Sequence, residues 1–193
     1  MKNKISNATT VLIITGVPGT GKTTLAKLLF KRLKNVYLVG ANEIAKRNKL
    51  YLGFDKADNA HIVDLKKLEK EVNVIIKREK QSGTKYIIFE GHLLCDIKIP
   101  NVKVIVLRSH INTLEKRLKK RGYSNKKLSE NIMSELINYC GNNSRKNYNN
   151  VYEVLNDKNC LKTSLKIINN IKVKRKTYDI LSEFNEKHKK YLT

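Results

Sequence analysis

One stretch constrains this chain more than any other: TGVPGTGKTT, Thr15 to Thr24, which follows the apolar run VLII and leads into LAKLLFKRLK. The spacing G-x-x-x-x-G-K-T is that of a phosphate-binding loop set between a strand and a helix. Gly16, Gly19 and Gly21 let the backbone approach a phosphate closely and turn its N–H groups inward as an anion nest. The helix beginning near Lys22 adds its positive N-terminal end. In such a loop Lys22 reaches the β- and γ-phosphates, the Thr23 hydroxyl ligates Mg²⁺, and Thr24 adds a phosphate contact. A dinucleotide-binding loop has no use for a lysine and a threonine at these two positions.

The rest of the chain alternates short apolar runs with longer helical patterns, which predicts an α/β fold with a parallel sheet and crossover helices. Five strands are expected, at 11–15, 36–39, 85–89, 102–107 and 151–155. Helices are expected at 22–34, 42–49, 64–81, 111–121, 126–146 and 161–171, and Gly122 is read as the cap that ends the fourth. Glu90 directly follows the strand YIIF and is the carboxylate candidate for the Mg²⁺ side of the loop. His92, two residues on, either meets phosphate or water or simply caps the strand. Arg108 ends a strand, and Arg117 and Arg121 share a helical face. Arginines so placed are candidates to hold the charge of a phosphoryl group in transfer; the competing reading is a solvated basic face.

Charge is the unusual entry in the composition: 40 Lys and Arg against 17 Asp and Glu give +23. Such a balance suits nucleic acid, but the lysines are spread along the whole chain, so compositional drift explains it equally well. No apolar run has the length of a membrane span, and the first ten residues lack a signal-peptide core. The expectation is an intracellular protein, cytoplasmic, and also nuclear if the source is eukaryotic. Three scattered cysteines exclude a disulfide framework. The segment after residue 171 is basic, and its Tyr178, Leu181 and Phe184 fall at helical spacing. It is either a docked helix or a mobile tail.

Taken together, TGVPGTGKTT, FEGHL and RLKKRGYSNKKLSENIMSEL resemble the adenylate kinase isoenzyme 6 family over roughly residues 11 to 170. The last element carries Arg117-Leu118, Arg121-Gly122-Tyr123, Lys127-Leu128, Asn131-Ile132 and Glu135 in the family's register. The resemblance implies a P-loop nucleoside monophosphate kinase fold, with a domain over 1–171, a nucleotide-acceptor segment near 39–62 and a short lid near 120–130. It implies transfer of the ATP γ-phosphate to AMP, slow ATP hydrolysis, and partners in small ribosomal subunit maturation, a ribosomal protein and rRNA. It places ATP contacts at Gly19, Gly21, Lys22, Thr23, Thr24, Arg121 and Lys158. The acceptor cation of many members falls on Lys46, with Arg47 beside it, and the family's aspartate of the D-x-H motif is Glu90 here. The alternative reading is an ATP-driven assembly switch that needs no AMP. No N-K-x-D motif supports a GTPase, and a kinase of a small metabolite such as shikimate shares the loop but not this lid pattern.

Overall fold

The computed structural model describes residues 9–56 and 60–191. Residues 1–8 of the expected domain, 57–59 of the expected acceptor segment and 192–193 of the tail lie outside that range. In chain order the elements begin β1 (Thr10–Thr15), α1 (Lys22–Arg32), β2 (Val36–Gly40), α2 (Ala41–Arg47), β3 (Tyr51–Asp55), β4 (Ala60–Val63) and α3 (Leu65–Gln81). They continue β5 (Tyr86–Glu90), β6 (Lys103–Arg108), α4 (Ile111–Lys120), α5 (Asn125–Leu136), α6 (Tyr139–Asn147), β7 (Val151–Leu155) and α7 (Cys160–Ile168).

Strand β1, TVLIIT, is buried along its last five residues. A strand apolar on both faces belongs at the centre of a parallel sheet covered on both sides. It pairs in parallel with β5 and β6, and the sheet runs β2-β5-β1-β6-β7. Side chains alternate between the layers. Ile13, Phe89, Val104 and Val106 pack with α2, α3 and α6, whereas Leu12, Ile14, Ile88, Ile105 and Leu107 pack with α1 and α7. Helix α3 shows how locally this is written: Leu68, Val72, Ile75 and Ile76 form its buried stripe, and the Asp64 side chain accepts the Lys67 N–H at its start.

The five expected strands are present, each within about a residue of its expected bounds. Two features differ. The helix expected over 126–146 is broken: Asn138 sits at φ 53°, between α5 and α6. Its side chain donates to Glu153 Oε1 at 2.8 Å, and that tie offsets the cost of a left-handed residue. The second difference is the antiparallel hairpin of β3 and β4, which the sequence reading did not include.

A third cluster lies outside the sheet layers, where Ile111, Leu114, Leu118, Leu128, Ile132 and Leu136 of α4 and α5 close around Ile180 and Tyr191. Of the two readings left open for the C-terminal segment, docking is what the structure shows, though not as an α-helix. The segment is irregular over 171–180 and then makes two short 3₁₀ turns, Leu181–Glu183 and Glu186–Tyr191. Glu183 accepts the Ile111 N–H at the start of α4, and the Tyr191 hydroxyl donates to Glu115 at 2.6 Å.

Docking has a measurable consequence. Ile180 is 3% exposed and its neighbour Leu181 is 59% exposed. Ile180→Ala is expected to cost about 2–5 kcal/mol, as other buried large-to-small changes do, and Leu181→Ala less than about 0.5 kcal/mol. Urea denaturation of the two variants measures the difference.

Candidate functional site

Parallel pairing brings the carboxyl ends of β1, β5 and β6 to one edge. Ile14 is level with Glu90, and Thr15 with Val106, so the phosphate loop leaves the sheet beside Glu90. A cavity of about 220 Å³ opens there, lined among others by Gly19, Lys22, Thr23, Glu90, His92 and Arg121; Gly21 and Thr24 also reach it.

The loop has no room for side chains at two of its glycines. A Cβ on Gly16 (φ 134°) would lie 2.4 Å from the Leu107 carbonyl oxygen, and one on Gly21 (φ 101°) 2.4 Å from Asn156 Nδ2. The loop is tied from behind. Asn156 Nδ2 donates to the Thr20 carbonyl at 2.6 Å, and Arg117 donates to the Gly19 and Thr20 carbonyls at 3.3 and 3.4 Å. Holding the carbonyls on that side leaves the amides free for the concave side, the arrangement an anion nest requires.

Lys22 is buried, and burial pulls its pKa below the ordinary lysine value. Its ammonium donates to the Val17 carbonyl at 2.9 Å. Thr23 Oγ1 donates to Glu90 Oε1 at 3.1 Å. Neighbouring oxygens around a six-coordinate Mg²⁺ with bonds of about 2.1 Å are roughly 2.9 Å apart. The hydroxyl and carboxylate therefore fit two adjacent positions of such an ion. Burial, and then the nearby Lys22, push His92 down to a pKa of about 4, so its imidazole is neutral near pH 7.

A second cavity of about 680 Å³ adjoins the first, and the two share Pro18, Asn42, His92 and Tyr123. Tyr51 and His61 of the hairpin, stacked with centroids 4.3 Å apart, form one wall. Lys127, Glu130 and Asn131 of α5 form the opposite one. Tyr123 reaches both cavities because α4 ends sharply. Gly122 takes φ 72°, its N–H bonds to the Lys119 carbonyl and the Tyr123 N–H to that of Leu118. This is a Schellman turn, with glycine at the position read from the sequence as the cap.

Several expected site residues lie elsewhere. Arg108 is a correction. Strand alternation sends its side chain into the α5–α6 layer, away from the loop, where Nε donates to Glu135 Oε1 and Nη1 to Glu153 Oε2, both at 2.9 Å. At 1% exposure and with those partners, it is a buried brace and not a phosphate clamp. Arg117 braces the loop from behind and does not line the cavity. Lys46 and Arg47 are on the exposed side of α2, which offers Asn42 and Ala45 to the cavities instead. Lys158 is exposed on the β7–α7 loop, outside the lining. Sequence reasoning missed Asn156, Asn42 and the stacked Tyr51 and His61. Lys127 was quoted within the lid pattern, yet no role had been drawn for it.

Burial separates the two kinds of arginine experimentally. Arg108→Ala leaves two buried carboxylates without their shared cation and is expected to cost about 3–5 kcal/mol. Arg121→Ala, at an exposed position, should change stability by less than about 0.5 kcal/mol. Chemical denaturation curves of the two variants decide it.

Comparison with known proteins agrees with this geometry. A family model described as an AAA domain matches residues 12–138. A protein of Methanocaldococcus jannaschii provisionally named adenylate kinase is 34% identical over 94% of this chain and 97% of its own length. Among solved structures, the tunicamycin resistance protein of Deinococcus radiodurans superposes with a TM-score of 0.56 over 89% of this chain and all of that one, at 14% identity. A shikimate kinase from Acinetobacter baumannii gives 0.50 over 87% and 97%, also at 14% identity. At such identities these two show the shared fold alone. The match to the family model and the near full-length relative together establish that the chain belongs to this AAA-domain family, among the archaeal adenylate kinase-like proteins.

Proposed function

We propose that the protein transfers the γ-phosphate of ATP to AMP, with slow ATP hydrolysis as a side reaction. The observation that carries this reading is the meeting of the two cavities at Pro18, Asn42, His92 and Tyr123. A donor phosphate on the loop and an acceptor phosphate in the larger cavity then face each other. The M. jannaschii relative supports the choice of acceptor through its name.

Each residue then has a task. The loop amides and Lys22 bind the donor phosphates, and Arg121 approaches them from the end of α4. Arg117 and Asn156 keep the loop in shape. Thr23 and Glu90 would hold Mg²⁺, which when bound would neutralise charge on the donor phosphates. His92, neutral and at the junction, is able to accept a hydrogen bond from the attacking group or from water. Lys127, on the α5 wall, replaces Lys46 and Arg47 as the cation nearest the acceptor cavity. Residues 120–130, carrying Arg121, Tyr123 and Lys127, act as the lid, and 39–62 as the acceptor segment. Closure of the two excludes water and limits hydrolysis.

The second reading is an ATP-driven switch in ribosome assembly that needs no AMP. The placement of Lys46 and Arg47 outside the cavities favours it. ADP production from Mg·ATP, with and without AMP, separates the two. The expected result is a rate that rises with AMP and falls about 10²-fold or more in Lys22→Ala, the scale of losing one preorganised transition-state donor. A slow rate indifferent to AMP overturns the phosphotransferase and leaves the switch.

A further inference from the structure

Between Asp157 and Asp179 the chain has no acidic residue. Its segment KVKRKT, 172–177, follows α7 and is neither helix nor strand. It is nonetheless held on the folded protein at several points. Val173 packs into the α1–α7 core layer. Arg175 is itself exposed but tethered, its guanidinium carbon 5.2 Å from the Tyr152 ring centroid and its Nη2 donating to Asn150 at 3.0 Å. The Tyr178 N–H, donated to Glu153 Oε2 at 3.1 Å, anchors the far end. Lys172, Lys174 and Lys176 flank these tethered residues and, like Arg175, are exposed.

We infer that Lys172, Lys174 and Lys176 form a docking row for the phosphodiester backbone of a single-stranded nucleic acid. Alternate residues of a non-helical segment reach at most about 6.6–7 Å apart, a span that includes the step between phosphates on an extended strand. The row is held on folded protein at Val173, Arg175 and Tyr178, so its ordering costs little on binding. Lys176 also lines a cavity of about 430 Å³ with Asn149, Arg175, Thr177 and the ion-paired Arg145 and Glu153, and these polar groups suit the sugar and base edges of a strand. An anionic membrane is a poorer partner, because adsorption there draws on several outward apolar side chains, whereas Val173 packs into the core and Ile171 is the outward apolar neighbour of the row. The inference uses none of the phosphoryl-transfer chemistry and stands or falls apart from it.

The test is fluorescence anisotropy of labelled 12-nucleotide oligouridylate and oligothymidylate across a salt series. Lys172→Gln/Lys174→Gln/Lys176→Gln is compared with a charge-matched control on exposed α3 positions, Lys66→Gln/Lys70→Gln/Lys77→Gln. Three lost phosphate contacts are expected to make the slope of log K against log salt less negative by about 2. Affinity at low salt should drop about tenfold, the control staying within twofold of the parent. Equal losses in both variants would show attraction by net charge alone and overturn the row. So would no binding of either oligonucleotide by the parent, or loss of binding confined to phosphatidylserine vesicles.

Discussion

A single buried guanidinium holds the second half of this molecule in register. Arg108, at the end of β6, reaches Glu135 on α5 and Glu153 on β7. It donates also to the Glu135 carbonyl, and Glu135 in turn accepts the Ser109 N–H. Arg145 and Asn138 close the network on Glu153. The two carboxylates are not equivalent. Burial pushes Glu135 above the usual carboxylate range, with Arg108 opposing it. Burial pushes Glu153 up as well, but hydrogen bonds from Asn138, Arg145 and the Tyr178 N–H bring it below that range. Such clusters contribute little net stability over an apolar core, yet breaking one is costly. The result is position: α5 cannot shift without uncovering a charge.

That constraint reaches the proposed active site through the wall of the larger cavity. Lys127, Glu130 and Asn131 stand on α5, and the Schellman turn before it directs Arg121 and Tyr123 to the loop side. The C-terminal segment adds a second clasp, with Glu183 at the start of α4 and Tyr191 between Glu115 and Ser129. Helix α4 is thus held at its start by Glu183, at mid-length by Tyr191 and near its end by Arg117 on the phosphate loop. Helix α5 is held by Ser129 and Glu135, while the turn joining the two stays exposed. A lid needs that distribution of restraint.

The loop and the sheet were legible because their signals are local. Gly16 is dictated by the close approach of the Leu107 carbonyl and Gly21 by its left-handed backbone, and five apolar runs dictate five buried strands. Arg108 was misread because sequence shows that a residue ends a strand but not which layer its side chain enters; the deciding carboxylates lie 27 and 45 residues away. Asn156 carries no signature at all, since its task is set by a glycine 135 residues earlier (156 − 21) that leaves it room. The hairpin escaped for a different reason. Its strands are short, a register shift interrupts their pairing near Tyr51 and Gly53, and Leu52, Phe54 and Ile62 are exposed. No clean alternation of apolar and polar residues therefore marks it.

With 40 cations to 17 carboxylates, the scarce sign is the informative one. A lysine on this surface says little, because lysines are spread along the whole chain. A carboxylate in a field this positive gains many partners wherever it sits, so where carboxylates are buried or aimed reflects a local requirement. Glu90 faces Thr23 across the loop, Glu135 and Glu153 hold Arg108, and Glu183 sits at the positive end of α4, where a negative charge is favoured. Where acids are missing, their absence is informative too. A run from 158 to 178 with seven cations and no acid leaves its outward lysines without nearby acids on their own segment. It is there, rather than in the total of +23, that the charge of this protein acquires a direction.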